Sequence, residues 1–248
     1  MFEYLAIPLS LLLLLLILAL PIITIYLFIR LTEEAFEKVG FGHWHATLMV
    51  FGSVIGSLVD IPINEAPISA YPHALLAATK ALSITFPVDF HPVLIAVNLG
   101  GCVIPVLISA EILLKRRAST SRAAMGIAIV ALITYAAAMP VPREGIVLPV
   151  YLPPMLAALV GVVLARGYRS APALAYVSGT MGTLIGADLM TLLTPGVLST
   201  LSPPGSYELP LVLSIGGAGV FDGIFLTGIL AVLLAAVVVC IFNRSYKK

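Results

Sequence analysis

Three carboxylates, Asp60, Asp188 and Asp222, stand in or at the ends of long apolar stretches of this 248-residue chain. An ionisable group at membrane depth is costly, so each marks a candidate site. A carboxylate in such a setting can bind a proton or a small cation, with unwound backbone carbonyls completing the shell. Two carboxylates on consecutive helices can instead share a proton and activate a water for peptide hydrolysis. The candidate set for substrate or ion binding is Asp60, Asn64, Asn98, Asp188, Asp222 and Thr227. Asp188 and Asp222 would be catalytic only in a protease.

Asp222 lies in the most concentrated signal, Ser214-Ile215-Gly216-Gly217-Ala218-Gly219-Val220-Phe221-Asp222-Gly223, which packs four glycines into eight residues. Glycine loosens a helix, and irregular backbone survives in a bilayer only where protein or a water-filled cavity surrounds it. Gly100, Gly101, Gly182, Gly186, Gly216, Gly217, Gly219 and Gly223 are therefore read as positions of helix breakage or close packing.

The elements that must position these residues follow from composition. With 60% hydrophobic and 10% charged residues and a mean hydropathy of +1.13, the chain lies far outside the globular range and reads as a multi-pass protein of the cell membrane. Its direct partner is the lipid bilayer. A formal charge of +1 gives no nucleic-acid signature. Cys102 and Cys240 lie in apolar runs without Cys/His clustering, so neither a disulfide framework nor a metal site is indicated, and no cofactor motif is present.

Seven apolar spans are expected, at about residues 4–29, 44–63, 92–114, 123–139, 147–165, 173–193 and 214–242. Several are interrupted by Pro or Gly. Residues 31–39 read as a separate interfacial helix, with Thr32 as N-cap, Glu33 and Glu34 in the first turn and Gly40 as the stop. Residues 65–91 form a long connection of mixed polarity, and Pro140-Val141-Pro142-Arg143-Glu144-Gly145 is a turn by composition. The fold class is thus all-α, one integral membrane domain over residues 1–248.

Basic residues collect on the cytoplasmic side of membrane proteins. With the N-terminus outside and the C-terminus inside, eleven of the thirteen basic residues fall on inner segments, leaving Lys80 and Arg143 outside. That topology puts Asp60, Asn64, Asn98, Asp188 and Asp222 all in the outer part of the membrane, at about 1.5 Å of rise per helical residue. The plainer alternative is that each polar group serves its own helix end.

Gly179, Gly182 and Gly186 share one helical stripe and Asp188 points away from it, so this span either has protein on both faces or breaks near Gly186. A faint repeat also runs through the chain. Gly52-Ser53-Val54-Ile55-Gly56 before Asp60 is similar to Gly182-Thr183-Leu184-Ile185-Gly186 before Asp188, and Asn98-Leu99-Gly100-Gly101 is similar to Ser214-Ile215-Gly216-Gly217. Residues 1–114 and 147–243 would then be parallel repeats joined by the fourth span, an arrangement some small transporters use with the substrate at the repeat interface.

Three phrases, Asn98-Leu99-Gly100-Gly101-Cys102-Val103-Ile104-Pro105, Gly179-Thr180-Met181-Gly182-Thr183-Leu184-Ile185-Gly186-Ala187-Asp188, and Gly216 through Gly228, resemble those of the archaeal and bacterial membrane family catalogued as domain of unknown function 1614. The Asp60-Ile61-Pro62 turn resembles the family's early motif, in which Asn is usual where this chain has Asp60. The resemblance implies the multi-pass topology and picks out the same residues, but implies no activity.

Three function classes remain. A proton- or cation-coupled carrier of a small solute or ion fits the broken spans and buried carboxylates. A two-aspartate intramembrane protease fits Asp188 and Asp222 on consecutive spans, and Asp222-Gly223-Ile224-Phe225 distantly resembles presenilin-like enzymes. Their Gly-x-Gly-Asp motif is absent, however, since Val220 and Phe221 separate Gly219 from Asp222. A noncatalytic scaffold is the third. His43 and His45 flank Trp44 at a spacing that separates their helix faces, which suits interfacial anchoring, and Glu111 should pair with Lys115 one turn on.

Overall fold

The computed structural model describes residues 9–63, 68–69, 92–165, 167–202, 211–217 and 223–245. Asn64, Gly219 and Asp222, and the connection at residues 70–91, lie outside them. The chain is mostly helical, and three of its helices, Leu13–Val39, Thr120–Ala137 and Gly223–Phe242, are long and apolar enough to cross a membrane. It is a membrane protein.

Helix α1 runs unbroken over Leu9–Val39. The separate interfacial helix expected at residues 31–39 does not exist. Thr32, read as its N-cap, lies fully buried inside α1 and donates its hydroxyl to the Phe28 carbonyl one turn back, at 2.8 Å. That i−4 bond is the other option of a threonine near acidic residues. Gly40 does stop the helix. Its φ of +99° is in the left-handed region, with Gly40 N–H donating to Glu37 O and Phe41 N–H to Phe36 O.

Helix α2 (His43–Gly56) ends earlier than expected and gives way to strand β1 (Asp60–Pro62). Strand β2 is Ile68–Ser69. The third span begins as strand β3 (Pro92–Asn98), passes a π-helical turn (Leu99–Val103) and only then becomes α3 (Ile104–Leu114). Helix α4 (Thr120–Ala137) leads into a hairpin of β4 (Met139–Val141) and β5 (Gly145–Val147), where composition indicated a turn. Helix α5 is Leu152–Leu164. Helix α6 (Ala171–Thr183) continues through a π-helical stretch (Leu184–Met190) and a last α-turn (Thr191–Leu193). The short α7 (Val197–Leu201), strand β6 (Leu211–Ile215) and the long α8 (Gly223–Ser245) complete it.

The strands are additions to the helical reading. β3 pairs antiparallel with β1 (Asp60 opposite Asn98) and β2, and parallel with β6 (Ala96 opposite Ser214). In an apolar medium every backbone polar group needs an internal partner, and this pairing supplies it where the helices stop.

Helix α6 is the hub, with twelve of its thirteen residues buried. Small residues let its neighbours close in on several sides. A Cβ added at Gly126 of α4 would meet Ser178 Oγ at 2.2 Å, at Gly161 of α5 the Ala175 Cα at 2.7 Å, and at Gly228 of α8 the Thr180 Cγ2 at 2.6 Å. Phe36 joins α1 to this core through Tyr176 and Phe225, with ring centroids 5.8 and 6.3 Å away. At one end of the bundle Arg117, after α3, lies over the Phe41 ring of the α1–α2 loop at 4.3 Å. At the other end the hairpin meets α7, with Arg143 N–H donating to Leu201 O at 2.9 Å.

Candidate functional site

The site grows from the places where strands turn into helices. Asn98 ends β3 and is almost fully buried. Its Oδ1 accepts from Gly101 N–H at 2.8 Å, closing the turn into α3, while its Nδ2 donates to Ser57 O at 2.9 Å and to Asp60 Oδ1 at 3.0 Å. The same Asp60 oxygen accepts from the Ser214 hydroxyl on β6. A carboxylate, an amide and a hydroxyl are thereby linked across three strands. Asp60 and Asn98 are thus brought into direct contact.

Asp188 is held at the turn that follows β6. Gly186 packs so closely on α4 that a Cβ there would lie 2.2 Å from Ala131 O. The helix accommodates this approach within its π-helical stretch, a form frequent at functional sites. Asp188 follows in that stretch, and its Oδ2 accepts from Gly216 N–H at 2.7 Å. Gly216 has φ +81°, and a Cβ on it would meet Cys102 N at 2.7 Å and Gly101 C at 2.8 Å, so the two glycine turns touch. Of the two alternatives raised for this span, the first holds: protein packs on several faces of α6, and the helix is not broken near Gly186 but runs on through it in π-helical form.

A cavity of about 520 Å³ opens beside this junction. Asp188, Thr183, Ser214, Gly216, Thr227 and Glu144 supply its polar lining, and Leu192, Val212 and Leu226 contribute apolar wall. No lysine or arginine is among the described residues that line it. Thr227 already donates its hydroxyl to Gly223 O at 2.6 Å. The Thr183 hydroxyl is buried without a hydrogen-bond partner among the described residues. Such a group is unusual in a folded protein and invites a functional account.

The expected set is thus partly assembled. Asp188 and Thr227 line the cavity; Asp60 and Asn98 do not, though Ser214 belongs both to it and to their network. The separation of the Asp188 and Asp222 carboxyls lies outside the described residues, although Gly223, next to Asp222, lines the same cavity. Gly100, Gly182, Gly186, Gly216 and Gly217 are closely approached. Gly223 is not, since a Cβ there would meet nothing within 4 Å. Sequence reasoning missed Ser214, Thr183 and Glu144 as lining residues. Ser214 was findable, because the faint repeat aligns it with Asn98.

Elsewhere, His43 lies 3.4 Å from Glu37 while His45 faces the Phe41 ring, so the two imidazoles serve different neighbours. Glu111 pairs with Lys115 as expected.

The family model described as "Protein of unknown function (DUF1614)" matches residues 54–234, which contain every part of this site. No curated protein and no solved structure matches the chain.

Proposed function

The chain belongs to the DUF1614 family, which brings no activity with it, and on that premise we propose that it is a multi-pass cell-membrane carrier coupling a small solute to a proton or cation. The observation that carries this reading is the Asp188 carboxylate, bound by one backbone amide, standing in a π-helical stretch and facing a cavity of about 520 Å³. A carboxylate so placed can be occupied by a proton, a cation or a positively charged solute in turn, which is what coupling needs. The cavity's only ionisable groups among the described residues are Asp188 and Glu144, so the solute class favoured is a small organic cation with an apolar body.

Seven spans with the N-terminus outside accompany this proposal. Connections assigned to the inner face gather at one end of the bundle, where Arg117 lies over Phe41, and those assigned to the outer face meet at Arg143 and Leu201. The repeat reading is supported by the parallel pairing of β3 with β6 and by the contact between their two glycine turns.

The test uses purified full-length protein in liposomes, with uptake of a panel of small radiolabelled amines driven by proton or sodium gradients. Gradient-driven uptake in wild type that Asp188→Asn abolishes, with folding intact, is the expected result. Uptake equal in the two proteins overturns the assignment. Cleavage of a transmembrane peptide by wild type but not by Asp188→Asn, without uptake, hands the site to the two-aspartate protease.

A further inference from the structure

We propose that the concave surface around the α3–α4 connection binds a phosphate-bearing anion. It is a second cavity, of about 560 Å³, at the opposite end of α4 from the hairpin. Three guanidinium side chains line it, Arg116, Arg117 and Arg122, together with Ser119, Thr120 and Ser170. No carboxylate lines it, and none of the ion pairs among the described residues involves these arginines. Three cations around one concave surface repel each other unless an anion joins them.

Two local features indicate that the arginines are held for a ligand. Arg116 has φ +52°, at the helix-ending position where its N–H donates to Leu113 O and that of Arg117 to Ile112 O. Glycine is the usual occupant of that left-handed position, and here the chain keeps an arginine there in spite of the strain. Arg117 is pinned over the Phe41 ring, and its Nη1 is buried without a hydrogen-bond partner among the described residues. The ring fixes the guanidinium plane while leaving Nη1 uncommitted. Ser119 makes no capping bond to α4, so the first amides of that helix also remain available to an anion.

Arginine forks, hydroxyls and helix amides together match the oxygens of a phosphate better than a lone carboxylate. The phosphate can belong to a lipid headgroup, since the connection follows an apolar helix into the interface, or to a soluble anion. One experiment distinguishes them. The full chain, in nanodiscs of phosphatidylcholine with or without phosphatidylglycerol, is titrated with inorganic phosphate and its thermal shift recorded, while native mass spectrometry counts retained phosphatidylglycerol.

Retention of phosphatidylglycerol by wild type, weakened about fivefold by Arg122→Gln and again by Arg116→Gly, assigns a headgroup site. A saturable phosphate shift lost in the same variants assigns a soluble ligand. Arg116→Gly removes the charge while relieving the backbone, so lost binding in that variant is not lost folding. Lys38→Gln, outside the cavity, serves as the charge control. Equal binding by wild type and both arginine variants, or equal loss in Lys38→Gln, overturns the proposal.

Discussion

Replacing Gly100 by alanine tests how the polar network is positioned. A Cβ at this residue would lie 2.1 Å from Ser53 O and 2.3 Å from Ser57 N. Those two atoms form the hydrogen bond that closes the end of α2, at 2.8 Å. The methyl group would therefore wedge into a backbone hydrogen bond, with no flexible side chain to yield. Overpacking of this kind costs about 1–3 kcal/mol, and weakening the bond adds about 1 kcal/mol. A loss of roughly 3 kcal/mol corresponds to a melting temperature lower by about 6–12 °C in a protein of this size. Gly52→Ala is the matched control, because its Cβ would meet only Ile104 Cδ1 at an ordinary 3.5 Å. It lies within α2, where alanine is favoured over glycine by about 0.5–1 kcal/mol. Thermal unfolding in one detergent, followed by circular dichroism, compares the three proteins. If Gly100→Ala melts as high as Gly52→Ala, the close approach of the β3–α3 turn to α2 is not what holds Asn98 against Asp60.

Two further expectations concern the cavity and the topology. Thr183→Val removes a buried hydroxyl that has no partner among the described residues while keeping the side chain's shape, so stability should be unchanged or rise by up to about 1 kcal/mol. A loss above that in chemical denaturation would mean the hydroxyl is satisfied in the folded protein, and a raised KM for uptake without a stability change would mark it as a solute contact. With the N-terminus outside, cysteines at Ser119 and Glu144 should react with impermeant maleimide from the inner and outer sides respectively. The reverse pattern would overturn the orientation and the shared depth of the carboxylates.

Features that depend on local chemistry were legible from the residues. Gly40 stops α1 because only glycine takes that left-handed turn cheaply, and Glu111 finds Lys115 because four residues make one helical turn. The close approach at Gly186 was readable because a stripe of glycines marks where another helix can come near. The strands were not readable. The segment Pro92–Asn98 is a short apolar run in which the periods of a buried strand and of a buried helix look alike. What decides between them is β6, more than a hundred residues away, whose edge β3 joins. Thr32 failed for a related reason. Threonine followed by acidic residues suits an N-cap and an interior back-bond equally well, and packing against the rest of the bundle selects the second.

The sheet also explains how a cavity walled largely by apolar side chains can hold a carboxylate. β6 pairs with β3 along one edge and, among the described residues, with no strand along the other. Val212, Leu213 and Ser214 line the cavity, so β6 forms part of its wall. Gly216 N–H, in the turn just past the end of β6, is the donor that Asp188 takes. A strand here thus does what a helix cannot, because a helix spends its amides and carbonyls on itself. The cavity's polar lining combines the side chains of Asp188, Glu144, Thr183, Ser214 and Thr227 with the turn at Gly216. Substitutions of Val212 or Leu226 that preserve volume should therefore alter solute fit without altering coupling, whereas changes that move β6 should disturb both.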